Sequence, residues 1–313
     1  MSLHSELDLP SSPIRRFFDR RFPVASSIQD QVAVQMKKRP TIRPTAGPDA
    51  PPWSHLGMGI GYRLGFSLGE VPIRLAVLGS LRASEIHGPH HIVLMDALIE
   101  HLEEIQRIDR GNESELARVC LALSHYETIV RVGDRYIDSP LWSLPPSAQL
   151  EDLLGLARAE WVADIVAVND AAQAPLVSAF DGVGTTNRLF GPTFTGSADV
   201  GGADADFLIG DCLIEVKATI RAACEKTWIH QLAGYALLDY EDRYGIREVG
   251  FYLARQAVLV RWPLDEFLRR MSPLDRSRGL SKPHVDVSAT RSDLAAWLQK
   301  ARVGTHGSLA APA

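Results

Sequence analysis

The chain has 313 residues, 46% of them hydrophobic, and a formal net charge of -5 at pH 7. This composition suffices for a sizeable core, and the net charge argues against an extensive duplex-binding surface. No apolar run of about 18 residues and no secretory-type start is present, so we expect neither a membrane span nor export. Three scattered cysteines indicate reduced thiols, and a cytoplasmic protein is expected.

The chain is expected to begin with a flexible basic arm at 1–52. This segment is rich in Pro and Ser and carries eight basic residues against five acids, with little hydrophobic periodicity. Such an arm could follow a phosphate backbone, but a plain disordered tail is the preferred explanation of this composition.

A helical region is predicted at 53–172, packing on a core at 173–302. Apolar residues recur at helical spacing in four segments, 56–68, 91–108, 113–132 and 150–168. The last residues, 303–313, are small and polar and are expected to form a disordered tail.

The core region contains a predicted β-hairpin whose turn is the Gly-Asp pair at 210–211. In that register Asp206 lies opposite Glu215. Asp204 lies opposite Lys217. Directly paired residues share a face of the sheet, so these four side chains are expected to project from one side. The other side of the hairpin is apolar and consists of Phe207, Ile209, Cys212, Ile214 and Val216.

Many half-buried hairpins have a polar outer face and no function, so the acidic face alone does not indicate an active site. Only six of the 33 basic residues are Lys, and Lys217 stands in mid-strand two positions after an acid. Lys is a compact amine whose pKa can be tuned, whereas Arg is a planar fork that keeps its proton. Leu208 and Leu213 share the acidic face nearer the turn, which indicates that this face is partly covered.

A helix is predicted over 225–244, with Gly245 as its C-cap. Gln231 and Tyr235 are four residues apart and therefore lie one turn from each other on one stripe of this helix. Tyr235 alone would be interpreted as a core aromatic residue. A Gln beside it is less expected there, because a buried amide needs hydrogen-bond partners.

Three further strands complete the predicted core. One is expected at 194–200, joined to the Asp206 strand by a turn at Gly201 and Gly202. The other two, at 248–254 and 257–262, follow the helix and are separated by a tight turn.

The ordered set Asp206, Glu215-x-Lys217 and Gln231-x-x-x-Tyr235 resembles the PD-(D/E)xK nuclease superfamily, specifically its RecB-like branch with the Q-x-x-x-Y helix motif. The wider sequence also resembles a bacterial group within that branch. The resemblance covers under a quarter of the chain. It implies an α/β (α+β) fold with a restriction-endonuclease-like core: a helix, three antiparallel strands, a helix and a further strand.

The resemblance also implies roles for these residues. Asp206 and Glu215 would bind a divalent metal, Mg²⁺ or Mn²⁺, with the Val216 carbonyl as a further ligand. Lys217 would orient the attacking water and stabilise the charge that develops on phosphorus. The Gln and Tyr of the helix motif would line the same pocket.

Two points of the site stay open at the level of sequence. Asp204 shares the acidic face and could replace or assist Asp206. The resemblance also implies an acid or His from the first core helix, for which Glu127, Glu160 and Asp164 are candidates.

The sequence therefore predicts a metal-dependent nuclease that acts on nucleic acid, with DNA as the expected substrate. A catalytically silent module that keeps the fold and binds nucleic acid or a protein is the first alternative. An unrelated α/β protein whose hairpin imitates the motif is the second, and it predicts no cleft at the acidic face.

Overall fold

The computed structural model describes residues 2–45, 51–107, 112–133, 136, 138–274 and 284–307. Within them lie twelve α-helices and a five-stranded mixed sheet, so the mixed α/β class is confirmed. The helices are α1 Leu3–Asp8, α2 Pro13–Arg21, α3 Ser26–Lys37, α4 Trp53–Leu68, α5 Arg74–His87, α6 His90–Arg107, α7 Glu113–Val132, α8 Leu150–Gly155, α9 Ala159–Ala172, α10 Lys226–Leu238, α11 Leu264–Met271 and α12 Val287–Gly307. The strands are β1 Arg188–Phe190, β2 Phe207–Ile209, β3 Cys212–Lys217, β4 Glu248–Leu253 and β5 Val258–Pro263.

The sheet has the strand order β1-β2-β3-β4-β5, and only the β3–β4 pair is parallel. A parallel pair needs a long crossover connection, which here contains α10. The crossover lays α10 against the same sheet that carries the predicted hairpin.

Both faces of the sheet are buried. Leu208 and Leu213 pack in one core with α10 and the N-terminal and C-terminal helices, whereas Phe207 and Ile214 pack in a second core with α4 and α9. The covering of Leu208 and Leu213 was expected. The acidic face is therefore apolar near the turn and polar only where the strands end.

The N-terminal segment differs from the flexible arm expected at 1–52. Its described part forms α1, α2 and α3, whose apolar side chains are buried in the α10-side core. These helices are amphipathic: basic residues occupy their outer surface, and a stripe that includes Ile14, Phe17 and Phe18 is buried. The charge-rich composition of the segment therefore did not indicate its apolar stripe.

Helices α4 to α8 share a third core and form a helical lobe; α9 continues from it toward the sheet. The helices predicted at 56–68, 91–108 and 113–132 correspond to α4, α6 and α7, whereas α5 was not predicted. The single helix predicted at 150–168 is instead broken into α8 and α9. Arg118 donates hydrogen bonds to the carbonyls of Leu154 and Ala157 at the break.

The strand predicted at 194–200 is wrong. Ser197–Val200 forms a 3₁₀ turn, held by the Ser197 hydroxyl, which accepts from the Phe194 amide at 2.8 Å and donates to the Ala203 carbonyl at 2.7 Å. The strand that pairs with β2 is β1, closer to the N-terminus.

Helix α10 ends at Leu238 instead of continuing to Gly245. The buried Asp239 carboxylate accepts the amides of Arg243 and Tyr244, both at 3.1 Å, and so closes a turn in place of another helical turn. At the C-terminus, α12 extends to Gly307, and the rest of the tail predicted at 303–313 lies outside the described residues.

None of the helices in the described part of the chain combines the length and apolar character that a bilayer span requires.

Close packing of α5 on α7 depends on Gly79. A Cβ added to Gly79 would overlap the main-chain carbonyl of Tyr126, and a main-chain atom cannot move aside as a flexible side chain can. We expect Gly79→Ala to lower the free energy of unfolding by about 2–3 kcal/mol. Gly61→Ala on α4 is the control, because an added Cβ there meets no atom within 4 Å. Thermal denaturation that shows Gly79→Ala as stable as Gly61→Ala would contradict this packing.

Candidate active site

The β2–β3 hairpin places the candidate residues, and its predicted register is confirmed. Gly210 takes the positive φ of +63° that a two-residue hairpin turn requires. The paired residues are Phe207 with Ile214, Leu208 with Leu213 and Ile209 with Cys212. The ladder stops there, so Asp206 lies just before β2 begins.

Asp206 is held at the end of the hairpin by a main-chain hydrogen bond. The Val216 amide donates to Oδ2 of Asp206 at 2.7 Å. The half-buried carboxylate therefore lies beside the last residues of β3, where the register placed it opposite Glu215.

Glu215 is the most constrained carboxylate of the site, with 5% of its surface exposed. Its Oε1 accepts a hydrogen bond from Nζ of Lys217 at 2.9 Å. Its Oε2 is buried and has no hydrogen-bond partner among the described residues. A buried carboxylate oxygen without a partner costs free energy, so a cation or a hydrogen-bond donor at Oε2 would stabilise Glu215.

Helix α10 supplies the second half of the site, as its predicted stripe indicated. Nζ of Lys217 donates to Oε1 of Gln231 at 3.0 Å, and Nε2 of Gln231 donates to the Tyr235 hydroxyl at 2.8 Å. The Lys217 ammonium also lies 5.5 Å from the centre of the Trp228 ring. Lys217 is thus fixed by a carboxylate, an amide and an aromatic face, which leaves its ammonium little freedom to move.

Burial and nearby negative charge raise the pKa of two groups that line the cleft, Asp206 and Tyr235. Burial, followed by the negative charge of Glu215, raises the pKa of Asp206 to about 8. Burial, followed by the charges of Glu215 and Asp206, raises the pKa of Tyr235 well above its usual value. Without a cation, Asp206 therefore retains a proton near neutral pH, and Tyr235 is a neutral hydroxyl.

The raised pKa of Asp206 predicts an unusual stability profile for the metal-free protein. Between about pH 4 and pH 8 the folded state keeps a proton that the unfolded state releases, so the free energy of unfolding falls as pH rises through this window. In EDTA at about pH 8.5, Asp206→Asn should be about 2–4 kcal/mol more stable than the wild type. At about pH 4 the two should unfold alike, and thermal denaturation at both pH values checks this.

The outcome that contradicts this prediction is an Asp206→Asn variant that is less stable than the wild type at both pH values. Such a result would mean that the ionised Asp206 carboxylate stabilises the fold.

Glu127, Glu160 and Asp164 were the candidates for an additional acid from a helix. Of these three, only Glu127 lines the cleft. It lies on α7, where it accepts a hydrogen bond from Nε of Arg131 at 2.6 Å and another from the Tyr62 hydroxyl. Asp164 instead forms a fully buried pair with Arg255, and Glu160 does not line the cleft.

Asp204 is not paired with Lys217 as the register predicted. It forms an isolated bridge with Thr193 on the β1 side, and its Oδ2 accepts from Arg131 at 2.9 Å. Arg131 thereby joins the helical lobe to the hairpin. Arg131 was not predicted from the sequence, because its hairpin partner Asp204 is 73 residues away in the chain.

These side chains line an open cleft of about 640 Å³ between the hairpin, α10 and the helical lobe. The cleft brings together all the residues predicted for the site: Asp206, Glu215, Val216, Lys217, Gln231 and Tyr235. Trp53 and Tyr62 of α4 also line the cleft.

The donor set suits a hard divalent cation such as Mg²⁺ or Mn²⁺. Among the described residues, no cluster of three or more His, Cys, Asp or Glu side chains is placed to hold a metal ion. The candidate set contains two carboxylates, from Asp206 and Glu215, with the Val216 carbonyl as a third oxygen. The unpartnered Oε2 of Glu215 is the atom that such a cation would satisfy.

Comparison with protein-family models, with curated proteins and with solved structures gives no match for this chain. The functional interpretation consequently depends on the geometry of the cleft.

Proposed function

We propose that this chain is a cytoplasmic, divalent-metal-dependent nuclease that hydrolyses phosphodiester bonds of DNA, related to the RecB-like branch of the PD-(D/E)xK superfamily. The supporting observation is the convergence on one open cleft of two carboxylates, a fixed ammonium group and the Gln–Tyr pair of α10. The unpartnered oxygen of Glu215 adds a specific reason for a cation at this position.

The topology agrees with this proposal. Three antiparallel strands, the crossover helix α10 and a strand parallel to β3 follow one another in the order that a restriction-endonuclease-like core implies. The motif residues lie just before β2, at the end of β3 and on the crossover helix, and all of them line one cleft.

Phosphodiester hydrolysis requires a water nucleophile, neutralisation of the scissile phosphate and a stabilised leaving oxygen. A bound divalent cation would neutralise the phosphate and lower the pKa of a nearby water. Asp206, Glu215 and the Val216 carbonyl would hold that cation. Lys217, fixed by Gln231, presents its ammonium toward negative charge that develops during the reaction.

Tyr235 contributes a neutral hydroxyl. Because Gln231 donates to its oxygen, the Tyr235 proton remains available for a phosphate oxygen or a water in the cleft. A neutral donor there adds no charge to a site that already contains two carboxylates.

The test is cleavage of end-labelled single-stranded and double-stranded DNA by the purified chain in Mg²⁺, in Mn²⁺ and in EDTA. We expect cleavage with either metal, none in EDTA, and none with Glu215→Gln. Glu241→Gln, an exposed acid outside the cleft, is the matched control and should cleave like the wild type.

Absence of metal-dependent cleavage on both substrates would overturn the proposal in favour of a silent module. The same conclusion would follow if Glu215→Gln cleaved DNA as fast as Glu241→Gln.

A further inference from the structure

A run of positive charge lies on an exposed segment that begins at the end of α3. We name it the basic strap and define it as residues Lys37, Lys38, Arg39 and Arg43, all of them exposed. No ion pair joins any of these four side chains to another residue in the described part of the chain. Residues 37–45 contain no acid, whereas the whole chain has a net charge of -5.

The segment 37–45, which carries the strap, is attached to the protein through Thr41 and Ile42. The Ile42 amide donates to the Arg255 carbonyl at 2.7 Å, and the partly buried Ile42 side chain packs against the second core. Nε2 of Gln256 donates to the Thr41 hydroxyl at 3.3 Å. The charged side chains thus project from a segment whose backbone is held in place by hydrogen bonds and by the packing of Ile42.

Arg255 and Gln256, which hold Ile42 and Thr41, also bind the residues that follow β3. Nε of Arg255 donates to the Ala218 carbonyl at 2.9 Å, and Nε2 of Gln256 donates to the Thr219 carbonyl at 3.1 Å. Ala218 and Thr219 follow Lys217 directly and line the cleft. Thr41 and Ile42, which lie between the strap residues Arg39 and Arg43, are therefore one residue away from the cleft wall along these hydrogen bonds.

A fifth exposed cation lies two residues after Thr219, which lines the cleft. Arg221 is exposed on the loop that follows Thr219, whose hydroxyl accepts the Arg221 amide at 3.1 Å. Inside the cleft the charge is different, because Glu127, Asp204 and Glu215 offset the basic side chains there. A polyanion would therefore be attracted to the exposed cations outside the cleft, because acidic and basic side chains offset each other within it.

We propose that the basic strap binds the phosphate backbone of the DNA strand whose scissile phosphate lies in the cleft. This inference rests on the nuclease function proposed above and adds to it where the substrate is held. Phosphate contacts of this kind position a strand without reading its sequence, so the binding should be independent of sequence and sensitive to salt.

The experiment compares two triple variants with equal loss of charge. The strap triple is Lys38→Ala, Arg39→Ala and Arg43→Ala. The control triple is Arg16→Ala, Arg82→Ala and Arg107→Ala, three exposed cations that do not line the cleft. Both should melt like the wild type, because all six side chains are exposed.

The readout is fluorescence anisotropy of labelled single-stranded DNA in EDTA, titrated at several salt concentrations. Each phosphate contact contributes about 0.7 to the slope of log K against log salt, so the strap triple should lower the slope by about 2. The control triple should leave the slope within about 0.5 of the wild type. Equal effects of the two triples, or no effect of either, would overturn the inference.

Failure of the nuclease proposal gives a different pattern. If the chain binds DNA through the strap but shows no metal-dependent cleavage, the strap inference survives and the nuclease function does not. If Glu215→Gln abolishes cleavage while the strap triple binds like the wild type, the nuclease function survives and the strap inference fails.

Discussion

Replacing Lys217 with Ala is expected to lower kcat/KM for metal-dependent DNA cleavage by about 10²- to 10⁴-fold. The ammonium is held by Oε1 of Glu215 at 2.9 Å and by Oε1 of Gln231 at 3.0 Å, in a side chain that is 15% exposed. A preorganised charge in a water-poor site stabilises a transition state far more than the same charge in solvent does.

Lys217→Arg should not restore activity. The guanidinium is a broad planar fork, and the space between Glu215, Gln231 and the Trp228 ring holds a compact ammonium group. Lys300→Ala, at an exposed position on α12, is the matched control. Single-turnover cleavage rates would separate chemistry from binding, and a Lys217→Ala rate within about threefold of the Lys300→Ala rate would exclude Lys217 from catalysis.

The largest effect on stability is expected at the buried pair of Asp164 and Arg255. The two side chains are 0% exposed and joined by two hydrogen bonds of 2.7 Å each. Arg255→Met leaves the Asp164 carboxylate buried without a partner, which should lower the free energy of unfolding by about 3–5 kcal/mol. Denaturant unfolding of the variant measures this loss.

The double variant Asp164→Leu with Arg255→Met provides the decisive comparison. With both charges removed, much of the loss should be recovered, because no isolated charge remains in the interior. Arg247→Ala, which breaks an ion pair with Asp242 in which Arg247 is 60% exposed, should cost less than about 1 kcal/mol. If Arg255→Met destabilised the protein no more than Arg247→Ala, the described burial of this pair would be wrong.

The core of the site was predictable because it depends on local patterns. A Gly-Asp turn fixes the register of its own hairpin, and strict alternation along two short strands then assigns each side chain to a face. Gln231 and Tyr235 were found in the same way, since a spacing of four residues places both on one stripe of a helix.

The errors arose where long-range contacts override local composition. In the segment at 1–52, Pro, Ser and basic residues suggested disorder, yet the stripe of Ile14, Phe17 and Phe18 is buried against elements more than two hundred residues away. The predicted end of α10 was wrong for a local reason instead, because the Asp239 carboxylate accepts amides four and five residues further on and so ends the helix before Gly245.

Arg131 shows the limit of prediction for the site. Its partners are Glu127 on the same helix and Asp204, which is 73 residues away in the chain. The spacing of four on α7 could have indicated the first contact. Nothing in the sequence pattern indicated that α7 faces the hairpin, so the second contact required the tertiary structure.

The most direct test of the account is calorimetric titration of Mn²⁺ into the metal-free protein at about pH 8.5, where Asp206 is largely ionised. We predict one site in the wild type and in Glu241→Gln, and binding at least about tenfold weaker in Asp206→Asn and in Glu215→Gln. A wild-type protein that binds no Mn²⁺, or variants that bind it as tightly as the wild type, would contradict the claim that these two carboxylates hold a cation together.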